Sequence, residues 1–103
     1  MKVKNIEIPT DKISTLCQQW PICKLSLFGS VLRDDFTSTS DIDVLVEFET
    51  NFTPGFLKLH QIQEELSDLL GKRAIDLVTP KFINHRMRDR VLAEAEVCYV
   101  AKR

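Results

Sequence analysis

Residues 41–49, Asp-Ile-Asp-Val-Leu-Val-Glu-Phe-Glu, constrain the fold more than any other stretch of the chain. Their period is that of a strand: Ile42, Val44, Val46 and Phe48 fall on one face, and Asp41, Asp43, Leu45 and Glu47 on the other. Such a strand needs a sheet with one face against an apolar layer. The layer is supplied by residues 56–70, where Phe56, Leu59, Ile62, Leu66, Leu69 and Leu70 form a helical stripe ending at Gly71 as C-cap.

The remaining elements follow from local signals. Pro9-Thr10-Asp11 starts a helix with Thr10 or Asp11 as N-cap; Ile13, Leu16 and Cys17 recur at helical spacing, and Trp20-Pro21 stops the run. Residues 22–28 form a strand ending at Gly29-Ser30, residues 30–35 a short helix, and 36–40 a hydroxyl-rich loop. Residues 74–78 form a short strand, with Ile75 and Leu77 facing one way and Asp76 the other. Pro80 opens a last helical region, with Ile83, Met87, Val91, Leu92 and Ala95 at amphipathic spacing. Residues 97–100 fit either a continuation of that helix or an end strand. The expected architecture is a single α/β (α+β) domain over residues 1–103, a small mixed sheet flanked by helices.

Composition narrows the function classes. Apolar residues make up 44% and charged residues 28%, with a formal net charge of -1, which fits a soluble globular domain and not a disordered tail. The charge balance lacks the basic excess of a protein gripping long nucleic acid, so direct nucleic-acid binding is not expected. Cys17, Cys23 and Cys98 form no CxxC pair and suggest neither a disulfide framework nor a zinc site; Cys23 and Cys98 read as small core residues. No segment approaches the ~20 apolar residues of a spanning helix, and residues 1–10 do not read as a signal peptide, so a cytoplasmic protein without membrane contact is expected.

Two local patterns carry chemistry. Asp41 and Asp43, two apart on a strand, point to the same face; a hard divalent cation relieves the repulsion of such a pair. Taken alone, an acidic pair at a strand start is more readily a solvated one than a metal site. Gly29-Ser30, between strand and helix, offers backbone N–H groups to an anion, glycine permits close approach, and the Ser30 hydroxyl can donate to a phosphate. Taken alone, this is a serine-capped turn. Ten residues separate Ser30 from Asp41, giving G-S-x10-D-x-D, and the two patterns together match what nucleotidyl transfer needs. Asp76 adds a third carboxylate, suited to a two-metal site or to deprotonating an acceptor. Arg33 could meet a phosphate or pair with Asp34, Asp35 or Glu47. The run His85, Arg86, Arg88, Arg90 reads as a solvated face that could touch an acidic partner or RNA. His60 is expected to be exposed, and Trp20, Phe28 and Phe48 to be in the core.

The segment LSLFGSVLRDDFTSTSDIDVLVEF, residues 25–48, resembles the signature of the polymerase-beta-like nucleotidyltransferase superfamily, and the chain's length with Ile75-Asp76-Leu77-Val78 resembles its minimal members, the MNT domains. By this resemblance Gly29 and Ser30 match the phosphate-binding pair, Asp41 and Asp43 the metal ligands, and Asp76 the third carboxylate. Many members carry Arg-x-x-Gly just after Gly-Ser, whereas this chain has Val31-Leu32-Arg33-Asp34-Asp35, an atypical loop. The resemblance implies Mg2+, in a two-metal site, and ATP as substrate. It also implies a HEPN-domain ribonuclease toxin as partner in a hetero-oligomer, neutralised by transfer of AMP to a tyrosine. The competing readings are an antitoxin that binds without catalysis and a transferase for a small molecule. The latter usually needs more chain to enclose its acceptor.

Overall fold

The computed structural model describes residues 2–101. A hairpin of two short strands, β1 (Lys2–Val3) and β2 (Ile6–Glu7), precedes helix α1 (Thr10–Gln19). Strand β3 (Ile22–Phe28) runs into one 3-10 turn, Gly29–Leu32, and a loop leads to β4 (Ile42–Phe48). Helix α2 (Phe56–Leu69) is followed by β5 (Ile75–Val78), a 3-10 turn at Pro80–Phe82, α3 (His85–Glu94) and β6 (Glu96–Val100). The main sheet has the order β5-β4-β3-β6, with β4 and β5 parallel and the other pairs antiparallel. This is the mixed sheet with flanking helices that the sequence predicts.

The core lies on one face of that sheet. Leu25 and Leu27 of β3 oppose Val46 and Val44 of β4, and Ile42 opposes Ile75 of β5. Ile13, Leu16 and Cys17 from α1 and Ile62 and Leu66 from α2 close over them. The aliphatic side chains of β4 on this face are fully buried, as the two-residue period requires. Helix α2 ends at Leu70, and Gly71 follows at φ 79, where the Lys72 N–H returns 2.7 Å to the Ser67 carbonyl. That is a Schellman-type stop, with Leu70 as the cap and Gly71, the expected cap, one position beyond it. Among the described residues no helix is long and apolar enough to cross a membrane.

Several elements differ from the sequence expectation. The α1 N-cap is Pro9, and no side chain caps the helix. The expected helix at 30–35 is a single four-residue 3-10 turn. The last helical region is split, and α3 starts at His85 under a cap from Asn84, whose Oδ1 accepts from the Arg86 N–H at 2.9 Å. Residues 96–100 pair with β3, which settles the open choice in favour of a strand. Phe56, placed on the α2 stripe, is 92% exposed, because the stripe meets the sheet only from Leu59 onward. The apolar positions of α3 are not buried either. Leu45 is buried despite sharing its face with Asp43, so the second face of β4 is also covered away from the carboxylates. Cys17 is the fully buried cysteine, and its thiol is pushed up to about 12, mainly by burial; Cys23 and Cys98 are half-buried, and all three are free thiols.

Truncating the core and truncating the exposed helix start should differ sharply. Leu66→Ala removes a fully buried side chain at the α2–sheet contact and should cost about 3 kcal/mol. Phe56→Ser should change stability by no more than about 0.5 kcal/mol. Urea unfolding of the two variants measures both. A large loss in Phe56→Ser would place α2 differently on the sheet.

Candidate active site

Strand directions bring the chemical residues to one end of the sheet. Strand β3 runs antiparallel to β4, so its last residue, Phe28, lies opposite Asp43 near the start of β4. Strand β5 runs parallel to β4, so Asp76 near its start lies beside Asp43. Gly29 and Ser30 leave β3 at that same end. The Ile42 N–H donates to the Ala74 carbonyl at 2.9 Å and fixes the start of the parallel pairing.

Glycine is required at position 29 twice over. Its φ is 74, in the left-handed region. A Cβ there would meet Oδ2 of Asp43, so the carboxylate would have to turn aside to admit it. Ser30 donates its backbone N–H to the Asp43 carboxylate, and its Oγ reaches the Asp41 carbonyl at 3.4 Å. The loop and the carboxylates are therefore in direct contact. The 3-10 turn is too short to add a helix dipole of consequence, so what the loop offers an anion is individual N–H groups and one hydroxyl.

The electrostatics are those of crowded like charges. The Asp43 carboxyl is held above the usual carboxylate range, first by burial and next by the charge of Asp76, with a smaller push from Asp41. A hydrogen bond between the Asp43 and Asp76 carboxyl groups, which needs a proton on one of them, acts in the same direction, and the Ser30 N–H opposes it. Asp41 and Asp76 are exposed and Asp43 half-buried. Among the described residues no three acidic, histidine or cysteine side chains close into a ready metal cage. The donor set nevertheless fits Mg2+ bound together with a nucleotide. That ion takes one or two protein carboxylates and fills its shell with phosphate oxygens and water.

Other expectations divide. Arg33 is exposed and has no ion-pair partner among the described residues; Asp34 pairs with Lys4 instead, at 2.8 Å. His60 is exposed and pairs with Glu64. Trp20 and Phe48 pack against the core, and the Trp20 Nε1–H donates to Glu65 at 2.8 Å. Phe28 is only half-buried, at the mouth of the site. His85, Arg86 and Arg90 are solvated, while Arg88 is half-buried with its Nε hidden from solvent and unpartnered. A groove of about 490 Å³, lined by Phe48, Phe52, Pro54, Leu59, Pro80 and Phe82 among others, lies at the opposite end of β4 and includes none of the site residues.

Sequence reasoning missed two supports. Arg73 donates from one guanidinium nitrogen to the carbonyls of Thr37, at 2.5 Å, and Ser40, at 3.0 Å, and stacks over Phe36 at 4.4 Å. It thus holds the loop that delivers Asp41. Asn5 donates to the carbonyls of Val31 and Arg33. Nothing in the sequence marks Arg73. Asn5 had a faint signal: Lys4-Asn5 sits between Val3 and Ile6 at the spacing of a two-residue hairpin turn.

Two measurements probe this geometry. Gly29→Ala should cost about 1–2 kcal/mol through backbone strain and displacement of the Asp43 carboxylate. Asp43→Ala in the same background should recover part of that loss; additive effects in a double-mutant cycle would mean that the two positions do not touch. The second concerns pH. The folded-state pKa of Asp43 is raised, so the folded protein binds more protons than the unfolded one just above the ordinary carboxylate pKa. Stability is therefore lost as pH rises through that range. Asp43→Asn in the presence of a chelator should raise Tm by a few degrees at pH 7, a gain kept small by solvent screening, and the gain should vanish towards pH 3. A Tm gain independent of pH would deny the charge origin.

Comparison with known proteins places the chain. Residues 11–98 match the model of the nucleotidyltransferase domain family. A candidate protein adenylyltransferase of Methanocaldococcus jannaschii is 36% identical over 91 residues, covering 88% of this chain and 95% of its own length. The protein adenylyltransferase MntA of Thermococcus cleftensis is 35% identical over 85 residues, covering 82% of this chain and 81% of its own. A solved complex of a tri-AMPylated Shewanella oneidensis HEPN toxin with an MNT antitoxin matches with a TM-score of 0.62 and 19% identity, over 89% of this chain and 70% of that one, a likeness of fold. The chain belongs to the nucleotidyltransferase domain family and is an enzyme of that class.

Proposed function

We propose that this protein is a Mg2+-dependent protein adenylyltransferase that moves AMP from ATP onto a tyrosine hydroxyl of a cognate HEPN-domain toxin, and so acts as its antitoxin. The observation that carries the reading is the contact of Gly29-Ser30 with Asp43 at the sheet end where Asp41 and Asp76 also lie. A phosphate loop and a carboxylate cluster in direct contact suit a substrate that is both polyanionic and metal-bound.

In this reading Gly29 and Ser30 hold the triphosphate by N–H groups and the serine hydroxyl. Asp41 and Asp43, with Asp76, would hold Mg2+, which supplies charge neutralisation at the phosphate oxygens. The acceptor oxygen forms a bond to the α-phosphorus, the bond from that phosphorus to the α–β bridging oxygen breaks, and pyrophosphate leaves. The hydroxyl proton passes to the carboxylate of Asp76. Arg33, exposed beside the loop, is placed to meet phosphate oxygens.

Two features favour a protein acceptor. Among the described residues no second layer of chain lies over the carboxylates at this sheet end, where Asp41 and Asp76 are exposed. The surface also carries large uncovered apolar side chains, Phe56 at 92%, Leu57 at 83% and Phe82 at 75% exposure, which a partner protein would cover. The names of the relatives and the assembled toxin–antitoxin structure point the same way.

The test is catalytic stoichiometry. A small amount of this protein, with ATP and Mg2+, should add AMP to a large excess of toxin, read as a fixed increment in toxin mass. Asp41→Asn/Asp43→Asn should still bind the toxin but lower the rate of modification by ~10³-fold or more, at ~1.4 kcal/mol per factor of ten. Full protection by the double variant, together with no mass shift from the wild type, would leave only a binding antitoxin.

A further inference from the structure

The turn joining β1 to β2 is Lys4-Asn5, with Val3 paired to Ile6. Lys4 sits at φ 29, a strained position for a residue with a Cβ. A hairpin with two residues in each strand does not itself repay that strain. What the turn achieves lies outside the hairpin. It carries the Asn5 side chain onto the loop that follows Gly29-Ser30, where Nδ2 donates to the Val31 carbonyl at 2.6 Å and to the Arg33 carbonyl at 2.8 Å. Beside it, Lys4 Nζ pairs with Asp34 at 2.8 Å, an exposed contact of minor weight.

We infer that Asn5 is a positioning residue for the phosphate loop. A lone 3-10 turn is weakly self-supporting, and this one ends on a bond from the Arg33 N–H to the Ser30 carbonyl at 2.9 Å. Val31 anchors it by burial, and the Ser30 Oγ contact at 3.4 Å is long. Asn5 directs its one amide nitrogen to two loop carbonyls on either side of Leu32, so it sets the orientation of the peptide planes beyond Ser30. Both partners are acceptors, which fixes the amide nitrogen as the end facing the loop. The consequence for catalysis rests on the nucleotidyl-transfer reading above: a loop held in register presents the Ser30 N–H and hydroxyl to the triphosphate without reorganisation.

The experiment compares Asn5→Ala, which deletes the donor, with Asn5→Asp, which keeps the shape and turns an acceptor onto two carbonyl oxygens. Hydrogen exchange at residues 30–33 should quicken about tenfold in Asn5→Ala, the loss expected of one net hydrogen bond, and further in Asn5→Asp. Amides of β4 should be unchanged in both. Titration with AMP-PNP and Mg2+ should show a tenfold or greater loss of affinity in Asn5→Asp, while binding of adenosine stays at the wild-type value. Unchanged loop exchange in Asn5→Asp overturns the clasp, whatever the nucleotide affinity. Equal losses for AMP-PNP and adenosine overturn it as well, because a space-filling or global role would give that result. If the wild type binds no AMP-PNP while loop exchange responds as stated, the nucleotidyl-transfer reading falls, and the role of Asn5 in catalysis falls with it.

Discussion

The register of β4 against its two neighbours is the constraint on which the rest of the site depends. Asp43 faces Phe28 across the antiparallel pair and Asp76 across the parallel one. The first contact brings the Gly29-Ser30 loop to the carboxylate, and the second brings a like charge. Neither is comfortable: the first favours glycine, since a Cβ would displace the carboxylate, and the second pushes the Asp43 carboxyl towards its protonated form. The opposite face of the same strand supplies the force that holds it. Ile42, Val44 and Val46 are fully buried under α1 and α2, and a slip of one residue would expose all three while burying Asp43. At roughly 1.5–3 kcal/mol for each fully buried aliphatic side chain, the core outweighs the repulsion between partly solvated carboxylates.

This division of labour explains which parts of the molecule could be read from its sequence. The β4 strand was legible because a half-buried strand writes its two environments into alternate residues. The G-S-x10-D-x-D spacing was legible because chemistry restricts the residue types at those positions. The β1–β2 hairpin was not, since strands of two residues have no period to detect. Residues 96–100 were ambiguous for a different reason: their state is decided by bonds to β3, such as the Ala101 N–H donating 2.8 Å to the Cys23 carbonyl, and no local signal encodes those. Leu45 and Phe56 misled in opposite directions, because burial depends on what packs from outside the element. The first is closed in by the fold, and among the described residues nothing covers the second.

The two missed supports, Asn5 and Arg73, share a physical character. Each donates from a side chain to backbone carbonyls of a loop that flanks the site, across 26 to 36 residues of sequence. Carbonyl acceptors exist at every residue, so such bonds place no demand on the side-chain identity of the partner. They leave no motif. They appear only when the fold has brought the donor to the loop, which is why sequence patterns find the residues that touch substrate more readily than the residues that hold them.

The close approach at Gly29 also weighs between catalysis and simple binding. An antitoxin that only covered its partner would need an outer surface, and it could keep the sheet end relaxed: a neutral residue at 43 would remove the repulsion from Asp76 and Asp41. The chain instead retains a left-handed glycine, a carboxylate in contact with it, and two further carboxylates beside that one. Strain and like charge concentrated at one spot, held by a core that does not need them, accord with the proposed catalytic reading of that spot. The uncovered Phe56, Leu57 and Phe82 belong to a different part of the surface from the carboxylates. On the proposed reading, recognition and reaction separate in space: the apolar surface would serve a partner, and the charged sheet end the transfer.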